Sequence, residues 1–422
     1  MAILCYLSNM YEFLKGRLIF TRFLMLTAAL LLTAVGICTL YAIGHPAESS
    51  PAGDTEKMSQ FWQKQLMFTG VGLVGFMIIN SINYRVLGRL SYWIYSVAIM
   101  LLIIVLMGKY VNLPFVPIIN GTYRWIRIGP LPAIQPSELF KLAYILAFAW
   151  YLRFRGNYDN LTSLIGPFAL TLLPVGLILL EPDLGTVMLT MPVLFVMLFM
   201  AGAKVRHLLV IILLAVLISP ILWGQIQPYQ RLRISSVVLQ NEWVRDKAAS
   251  NPKFAHILVG REFTEKQWQR GAGFHLIRSK YAVASGGLTG YGYRKGPFIK
   301  YNFFLPERHT DFIFAMIAHQ WGFIGSVALL GLYAILIGCA VAIANNNTDP
   351  FARLIATGIV MMFSVEVLIN VSMTLGLMPI TGLTLPFVSY GGSSLLCHLA
   401  AVGLLNNIGR SRPFSVAPKS FE

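Results

Sequence analysis

The 422-residue sequence predicts an all-α, polytopic integral membrane protein with about ten transmembrane helices and a large outer loop between helices 7 and 8. Three observations carry that prediction. Hydrophobic residues make up 56% of the chain and charged residues only 12%, and the mean hydropathy is +0.67. The apolar residues gather into runs close to the ~17–25 residues that a helix needs to cross a bilayer. These runs are apolar at successive positions, whereas a membrane barrel would show strands of about ten residues with alternating polar faces. Only helices and closed barrels satisfy backbone polar groups in lipid, so the helix remains.

The runs centre on residues 18–43, 66–82, 90–107, 139–152, 164–180, 186–201, 208–223, 312–344, 354–375 and 395–408. The first exceeds the ~7–15 residues of a signal-peptide core and no clear small-residue cleavage site follows it, so it is expected to stay as an anchor. The fourth and the last are short, which leaves their ends open. Cys5, Cys38, Cys339 and Cys397 show no metal-ligand spacing and the last three fall inside runs, which reads as buried free thiols and leaves the redox compartment undetermined.

Short loops rich in Lys and Arg tend to remain cytoplasmic. If ten helices alternate, Lys15, Arg17, Arg22, Arg85, Arg89, Arg153, Arg155, Lys204, Arg206, Arg353, Arg410 and Arg412 all fall on one side, which places both termini in the cytoplasm. The outer face then receives residues 45–62, 109–137, the turn at 181–183, the long stretch 224–310 and residues 376–393. That long stretch is basic, but long loops escape the orientation rule.

The formal charge is +16 and the pI about 9.8. A basic surface outside a membrane meets anionic lipid headgroups or phosphorylated ligands. No nucleic-acid motif accompanies the charge, so that class is excluded. No internal repeat divides the chain, and residues 1–422 read as a single membrane domain that includes the 224–310 loop. Within the loop, residues 240–269 are polar, hold scattered charges and read as an elaborated outer subdomain.

Four motifs fall on the outer side or at its membrane boundary. Arg124-Trp125-Ile126-Arg127 precedes Gln135-Pro136-Ser137-Glu138-Leu139-Phe140-Lys141, where Pro136 and Ser137 can open a helix and Glu138 and Lys141 share one face. A capped, ion-paired helix start is the plainer use of these residues. Glu181-Pro182-Asp183-Leu184-Gly185-Thr186 suits a tight turn with Asp183 as a cap. Ser285-Gly286-Gly287-Leu288-Thr289-Gly290-Tyr291-Gly292 exposes backbone N–H groups that can cradle phosphate, although it lacks a P-loop's lysine and spacing, and a re-entrant loop explains it equally well.

The same stretch leads into Leu305-Pro306-Glu307-Arg308-His309-Thr310-Asp311-Phe312. Ionisable groups at a membrane boundary are functional candidates by default, and the alternative for Asp311 is a first-turn acid complementing the helix dipole. The fourth motif runs from Pro379 to Ser394 and contains Pro386, Ser389, Gly391, Gly392 and Ser393. Its prolines and glycines forbid a continuous helix, and irregular backbone at membrane depth survives only against protein or a wet cavity. Its hydroxyls bind a sugar or phosphate, or satisfy the broken backbone. Glu366 and Asn370, one turn apart, read as a buried polar pair with a structural use, and an ion path is the alternative.

Gln135-Pro136-Ser137-Glu138 with Lys141, Pro182-Asp183-Leu184-Gly185, Ser285-Gly286-Gly287-Leu288, residues 305–314 and residues 386–394 stand in the order found in the SEDS proteins, the RodA, FtsW and SpoVE group, which the chain therefore resembles. The resemblance covers nearly all of residues 125–408. It implies a peptidoglycan glycosyltransferase that polymerises lipid II at the outer face of the bacterial cytoplasmic membrane beside a class B penicillin-binding protein, and it maps the proposed catalytic acid onto Asp311. Pro306 to Asp311 and the absence of lysine at Thr381 look more like the elongation branch, RodA, than the division branch, FtsW. The chain departs from the family pattern at His319 and Gln320, where glutamates are usual, and at Arg278-Ser279-Lys280. Residues 240–269 also appear inserted.

In such a reaction a sugar hydroxyl displaces a lipid pyrophosphate with inversion from α to β. Pyrophosphate leaves readily once its charge is met, so one base suffices where an inverting glycosidase needs an acid as well. Asp311 is expected to be that base. Arg124, Lys141 and Arg308 are the expected phosphate partners, with Glu138, Ser389 and Ser393 completing the substrate site and Mg²⁺ or Mn²⁺ as the candidate cofactor. The rival class is a lipid II flippase, for which Glu366 would be the key residue. A noncatalytic scaffold is the third reading.

Overall fold

The computed structural model describes residues 18–47, 58–111, 113–119, 121–127, 129, 132–154, 160–301 and 304–410. Cys5, Lys15, Arg17, Arg155 and Arg412 lie outside the described residues. Each expected apolar run is helical, the one at 312–344 in two pieces that meet at Gly322. The first seven are α1 (Ile19–Gly44), α2 (Phe61–Ser81), α3 (Tyr84–Gly108), α4 (Pro136–Leu152), α5 (Ile165–Leu180), α6 (Leu184–Met200) and α7 (Val205–Gln225). The long connection that follows folds into six short helices, α8 (Pro228–Ser235), α9 (Glu242–Ser250), α10 (Pro252–Val259), α11 (Glu265–Arg270), α12 (Ala272–Ser285) and α13 (Pro297–Lys300). The chain returns through α14 (Ile313–Asn345), α15 (Pro350–Thr374) and α16 (Gly392–Arg410).

Among the described residues, five segments are individually long and apolar enough to cross a membrane: α1, α3, residues 161–180, α14 and α15. The others need neighbours. The outward faces of α2, α3 and α7 carry large apolar side chains such as Leu66, Met77, Trp93, Leu213 and Ile221, all about half exposed or more, as lipid contact requires. At the centre α14 packs on α1 and α15, α16 packs on α2 and α4, and α15 joins α4 to α6.

The sequence punctuates these helices as expected. Pro136 occupies the first turn of α4 after an extended Gln135, where its missing N–H costs nothing. Asp183 caps α6 through the backbone N–H of Thr186 at 3.3 Å. Residues 240–269 fold around Leu239, Ala248, Ala255, Val259, Phe263 and Trp268, a small apolar core of their own.

The glycine-rich stretch has a different role from a phosphate cradle. At about 1.5 Å per residue a 33-residue α14 would run to nearly 50 Å, well beyond a hydrocarbon core of ~30 Å. It breaks at Gly322, whose φ is 64°. Residues 286–292 lie against the break as a strap that begins in a turn. Tyr291 and Gly292 donate to the carbonyls of His319 (3.1 Å) and Gln320 (2.9 Å), and Phe323 and Ile324 donate to those of Gly287 (2.9 Å) and Leu288 (3.1 Å). The N–H of Gly290 is taken by Gly286. Any side chain on Gly286 or Gly290 would collide with the backbone of α14. These N–H groups are therefore engaged within the protein.

The irregular segment 376–391 is satisfied in the same manner. Asn370 donates to Leu383 O at 2.7 Å, Tyr333 to Pro386 O and Gln65 to Ser389 O at 3.1 Å. These polar side chains from three helices stand in for the missing helical bonds. Gly36 of α1 lets the segment approach closely, since a Cβ there would stand 2.5 Å from Val388 O.

Candidate active site

Asp311 sits at the mouth of α14, half-buried, on a platform of hydrogen bonds made by its neighbours. Asn370 donates to its backbone carbonyl at 3.0 Å, Ser389 Oγ donates to Thr310 O at 2.6 Å, and Tyr390 N donates to His309 O at 2.9 Å. Thus α15 and the irregular segment jointly fix the backbone on both sides of the carboxylate. The carboxylate faces Gly382: a Cβ on that residue would lie 3.9 Å from Asp311 Oδ2. Gly382 has φ of 79°, so glycine meets the backbone requirement and leaves the approach to the acid uncrowded.

Burial pushes the Asp311 carboxyl up to about 7, aided by the charge of Glu307 and opposed by Arg233, a hydrogen bond from Thr310 and Arg124. Such a value suits a general base at neutral pH. Glu307 receives the Thr310 hydroxyl at 3.1 Å and holds φ of 53°. His309 stacks on Phe61 at 4.5 Å, and burial lowers its pKa against the pull of Glu307. Glu181, at the turn between α5 and α6, is pushed up to about 8 by burial and by Asp183, with Arg124 opposing.

The expected substrate contacts divide. Arg124 is half-buried, donates to the carbonyls of Glu181 and Pro182, and stands near enough to act on Asp311. Arg308 turns inward instead of toward a ligand: only 2% exposed, it donates to Phe298 O at 2.5 Å and Ile299 O at 3.1 Å. It clamps the outer loop beneath the motif. Ser389 is buried, accepting from Leu385 N at 2.8 Å, and Ser393 is buried, accepting from Gln135 N at 3.0 Å. Both hydroxyls satisfy broken backbone, the alternative the sequence leaves open.

Glu138 and Lys141 belong to a buried cluster. Lys141 Nζ lies 2.7 Å from Glu138 Oε2 and 2.6 Å from Glu366 Oε1, and His398 Nε2 lies 2.8 Å from Glu366 Oε2. Lys141 and His398 are 1% and 0% exposed, so the ammonium is enclosed by carboxylates and does not reach the mouth. Glu138, Glu366 and His398 are the group of ligand-type side chains among the described residues whose donor atoms come within 4.8 Å of one another. A dication does not fit there, because Lys141 already sits between the two acids.

Three contributors carry little signal in the sequence. Arg233 of α8 is one of many loop cations, yet it is the first counter-charge to Asp311. His398 is a single imidazole in an apolar run, with nothing nearby in the chain to mark it. Asp183 caps α6 as expected, but its Oδ2 also accepts the hydroxyls of Ser137 and Thr186, each at 2.9 Å. It thereby joins the start of α4 to the start of α6.

Comparison with known proteins identifies relatives of the whole chain. A family model described as cell cycle protein, covering FtsW, RodA and SpoVE, matches residues 22–413. The chain is 32% identical to the peptidoglycan glycosyltransferase RodA of Treponema pallidum, with 92% of this chain and 96% of the relative covered. It is 33% identical to stage V sporulation protein E of Bacillus subtilis, with 92% and 96% covered. It is also 34% identical to the peptidoglycan glycosyltransferase MrdB of Escherichia coli K12, with 81% and 84% covered. Among solved structures, a chain from a study of polymerization and crosslinking by a peptidoglycan synthase complex superposes with a TM-score of 0.71 at 31% identity, covering 92% of this chain and 97% of that one. The rod shape determining protein RodA of Thermus thermophilus superposes with a TM-score of 0.62 at 29% identity, covering 93% and 97%.

Proposed function

The chain belongs to the FtsW, RodA and SpoVE family, and from that premise we propose that Asp311 is the general base of its peptidoglycan glycosyltransferase reaction. The protein is a bacterial membrane glycosyltransferase. The observation that carries the assignment of Asp311 is a half-buried carboxyl, pushed up to about 7, on a backbone platform that Asn370 and Ser389 hold in place.

In this mechanism a lipid-linked acceptor presents its sugar hydroxyl to Asp311. The carboxylate takes the proton as the hydroxyl oxygen bonds to the anomeric carbon of the donor. The bond from that carbon to the lipid pyrophosphate breaks with its electron pair, and α becomes β. Proximity matters as much as basicity, since two bulky substrates must meet at one acid. Arg124 and Arg233, the cations whose fields reach Asp311, meet the growing negative charge. Mg²⁺ or Mn²⁺, if bound, would supply charge neutralisation to the leaving pyrophosphate, and the buried Glu138–Glu366–His398 set would not hold it, because Lys141 lies between the two acids.

The basic-loop pattern supports an active face outside the membrane with both termini cytoplasmic. The relation to a peptidoglycan synthase complex supports a penicillin-binding protein partner, which we take to be a class B transpeptidase, and the motif details favour elongation. The flippase reading loses its main support, because Glu366 is engaged by both Lys141 and His398. The decisive experiment is lipid II polymerisation by purified Asp311→Ala and Asp311→Asn proteins, each shown to be folded. Loss of polymer is expected; near-normal polymerisation by either variant would remove Asp311 from the mechanism.

A further inference from the structure

The outer subdomain holds a cavity of about 170 Å³ lined by Gln240, Arg245, Trp268, Ile277, Lys280 and Tyr281. That is room for one small organic group. Residues 240–269 supply half of the lining and α12 supplies the rest.

The lining is rich in donors. Lys280 Nζ gives one hydrogen bond, to Gln240 Oε1 at 3.0 Å, of the three an ammonium can make. Arg245 places Nε 3.1 Å from Glu265 Oε1, while its Nη2 stands a loose 3.9 Å from Glu242. The guanidinium also lies over the Trp268 ring at 5.3 Å. Trp268 is 1% exposed, and its indole N–H has no partner, a costly state for a buried donor. Tyr281 adds an exposed hydroxyl at the rim. The Gln240 Oε1 acceptor is taken by Lys280, and Gln240 Nε2 is engaged with Val237 O and Gly376 O. Lys280 and Arg245 beside a small space ask for a compact ligand with several lone pairs, which a carboxylate supplies.

The cavity also adjoins the catalytic platform. Gln240 donates to Gly376 O at 2.8 Å, and Ser279 of α12 donates to Thr374 O at 2.7 Å. Both acceptors lie at the end of α15, the helix whose Asn370 holds the Asp311 carbonyl.

We infer that this cavity is a carboxylate-binding site for the free acid of a stem peptide on the glycan strand. Peptide and sugar give such a ligand its polar body, and Trp268, Tyr281 and Ile277 flank its stem. The strand as source rests on the glycosyltransferase reading, while a free small carboxylate would satisfy the same chemistry. A strand anchored here stays beside the mouth between additions, which favours successive additions to one chain.

The test is a calorimetric titration of full-length Asp311→Ala protein in detergent, so that the outcome does not depend on turnover or on the role of Asp311. The probes are N-acetylmuramyl-L-alanyl-D-glutamic acid, the same compound with its carboxyls amidated, and acetate. The acid should bind at least tenfold more tightly than the amide, and Lys280→Gln or Arg245→Gln should weaken it at least fivefold. Lys280 is exposed, so its replacement leaves the fold intact even if the Arg245 variant unfolds. Equal binding of acid and amide, or unchanged affinity in the folded Lys280 variant, overturns the site. Acetate binding as tightly as the muramyl acid overturns the strand as its source. A failed titration beside Asp311-dependent polymerisation would remove the cavity and leave the catalytic reading standing.

Discussion

Replacing Asp311 with Asn should make the protein more stable while abolishing catalysis, and the gain should depend on pH in a defined direction. The Asp311 carboxyl moves from an ordinary 3.8 to about 7 in the folded protein. Below pH 3.8 the acid is neutral in both states and contributes no difference. Between 3.8 and 7 the unfolded chain ionises first, so the wild type loses stability relative to the Asn variant as pH rises; above 7 the difference levels off. Three units at ~1.4 kcal/mol each set a ceiling of about 4 kcal/mol, and partial contact with water reduces that to about 2 kcal/mol. Thermal unfolding of both proteins in one detergent, at pH 5 and pH 8, measures it. The advantage of Asp311→Asn should widen by a few degrees from pH 5 to pH 8. An advantage that is absent at pH 8, or the same at both values, would refute the claim that burial holds this carboxyl near neutrality.

The same carboxyl predicts the rate profile. With Asp311 as base, kcat/KM for lipid II polymerisation should fall about tenfold per unit below roughly pH 7. Glu307→Gln removes a charge that raises the Asp311 pKa, so the acid limb should move to lower pH; a limb that stays in place would point to another titrating group. In the buried cluster, Lys141→Met leaves two acids with only His398 to offset them and should cost about 3–5 kcal/mol. Glu366→Gln preserves the Lys141–Glu138 pair at 2.7 Å and should cost less. Denaturant titrations that rank the two in the opposite order would show that Lys141 is not the charge holding the cluster together.

Much of the architecture is legible in the sequence because lipid imposes simple rules. A run such as 354–375 has no alternative to a helix, and the prolines and glycines of residues 379–392 forbid one. Asp311 is legible for a related reason: a carboxylate is costly at a membrane boundary and its retention asks for a use. Pairings between distant segments are not legible. Arg308 and Arg124 look alike in sequence, yet Arg308 turns to the Phe298 carbonyl 10 residues away and Arg124 to the Glu181 carbonyl 57 residues away. Ser389 offers a hydroxyl that fits a sugar as well as a backbone amide, and only the close approach of Leu385 and Thr310 decides between them. His398 gains meaning only from Glu366, 32 residues away in the chain and 2.8 Å away in space.

The strap across the Gly322 break bears on how the active mouth is assembled. The part of α14 beyond Gly322 is an ordinary apolar span that can settle into lipid on its own. The turns before it cannot be completed alone, since their broken bonds are closed by backbone from residues 287–292. Those residues precede α14 in the chain. The mouth is therefore a joint between two segments, with Gly286, Gly290 and Gly322 as its mating surface. A lesion in that surface would leave a fully inserted protein whose acid has no fixed position.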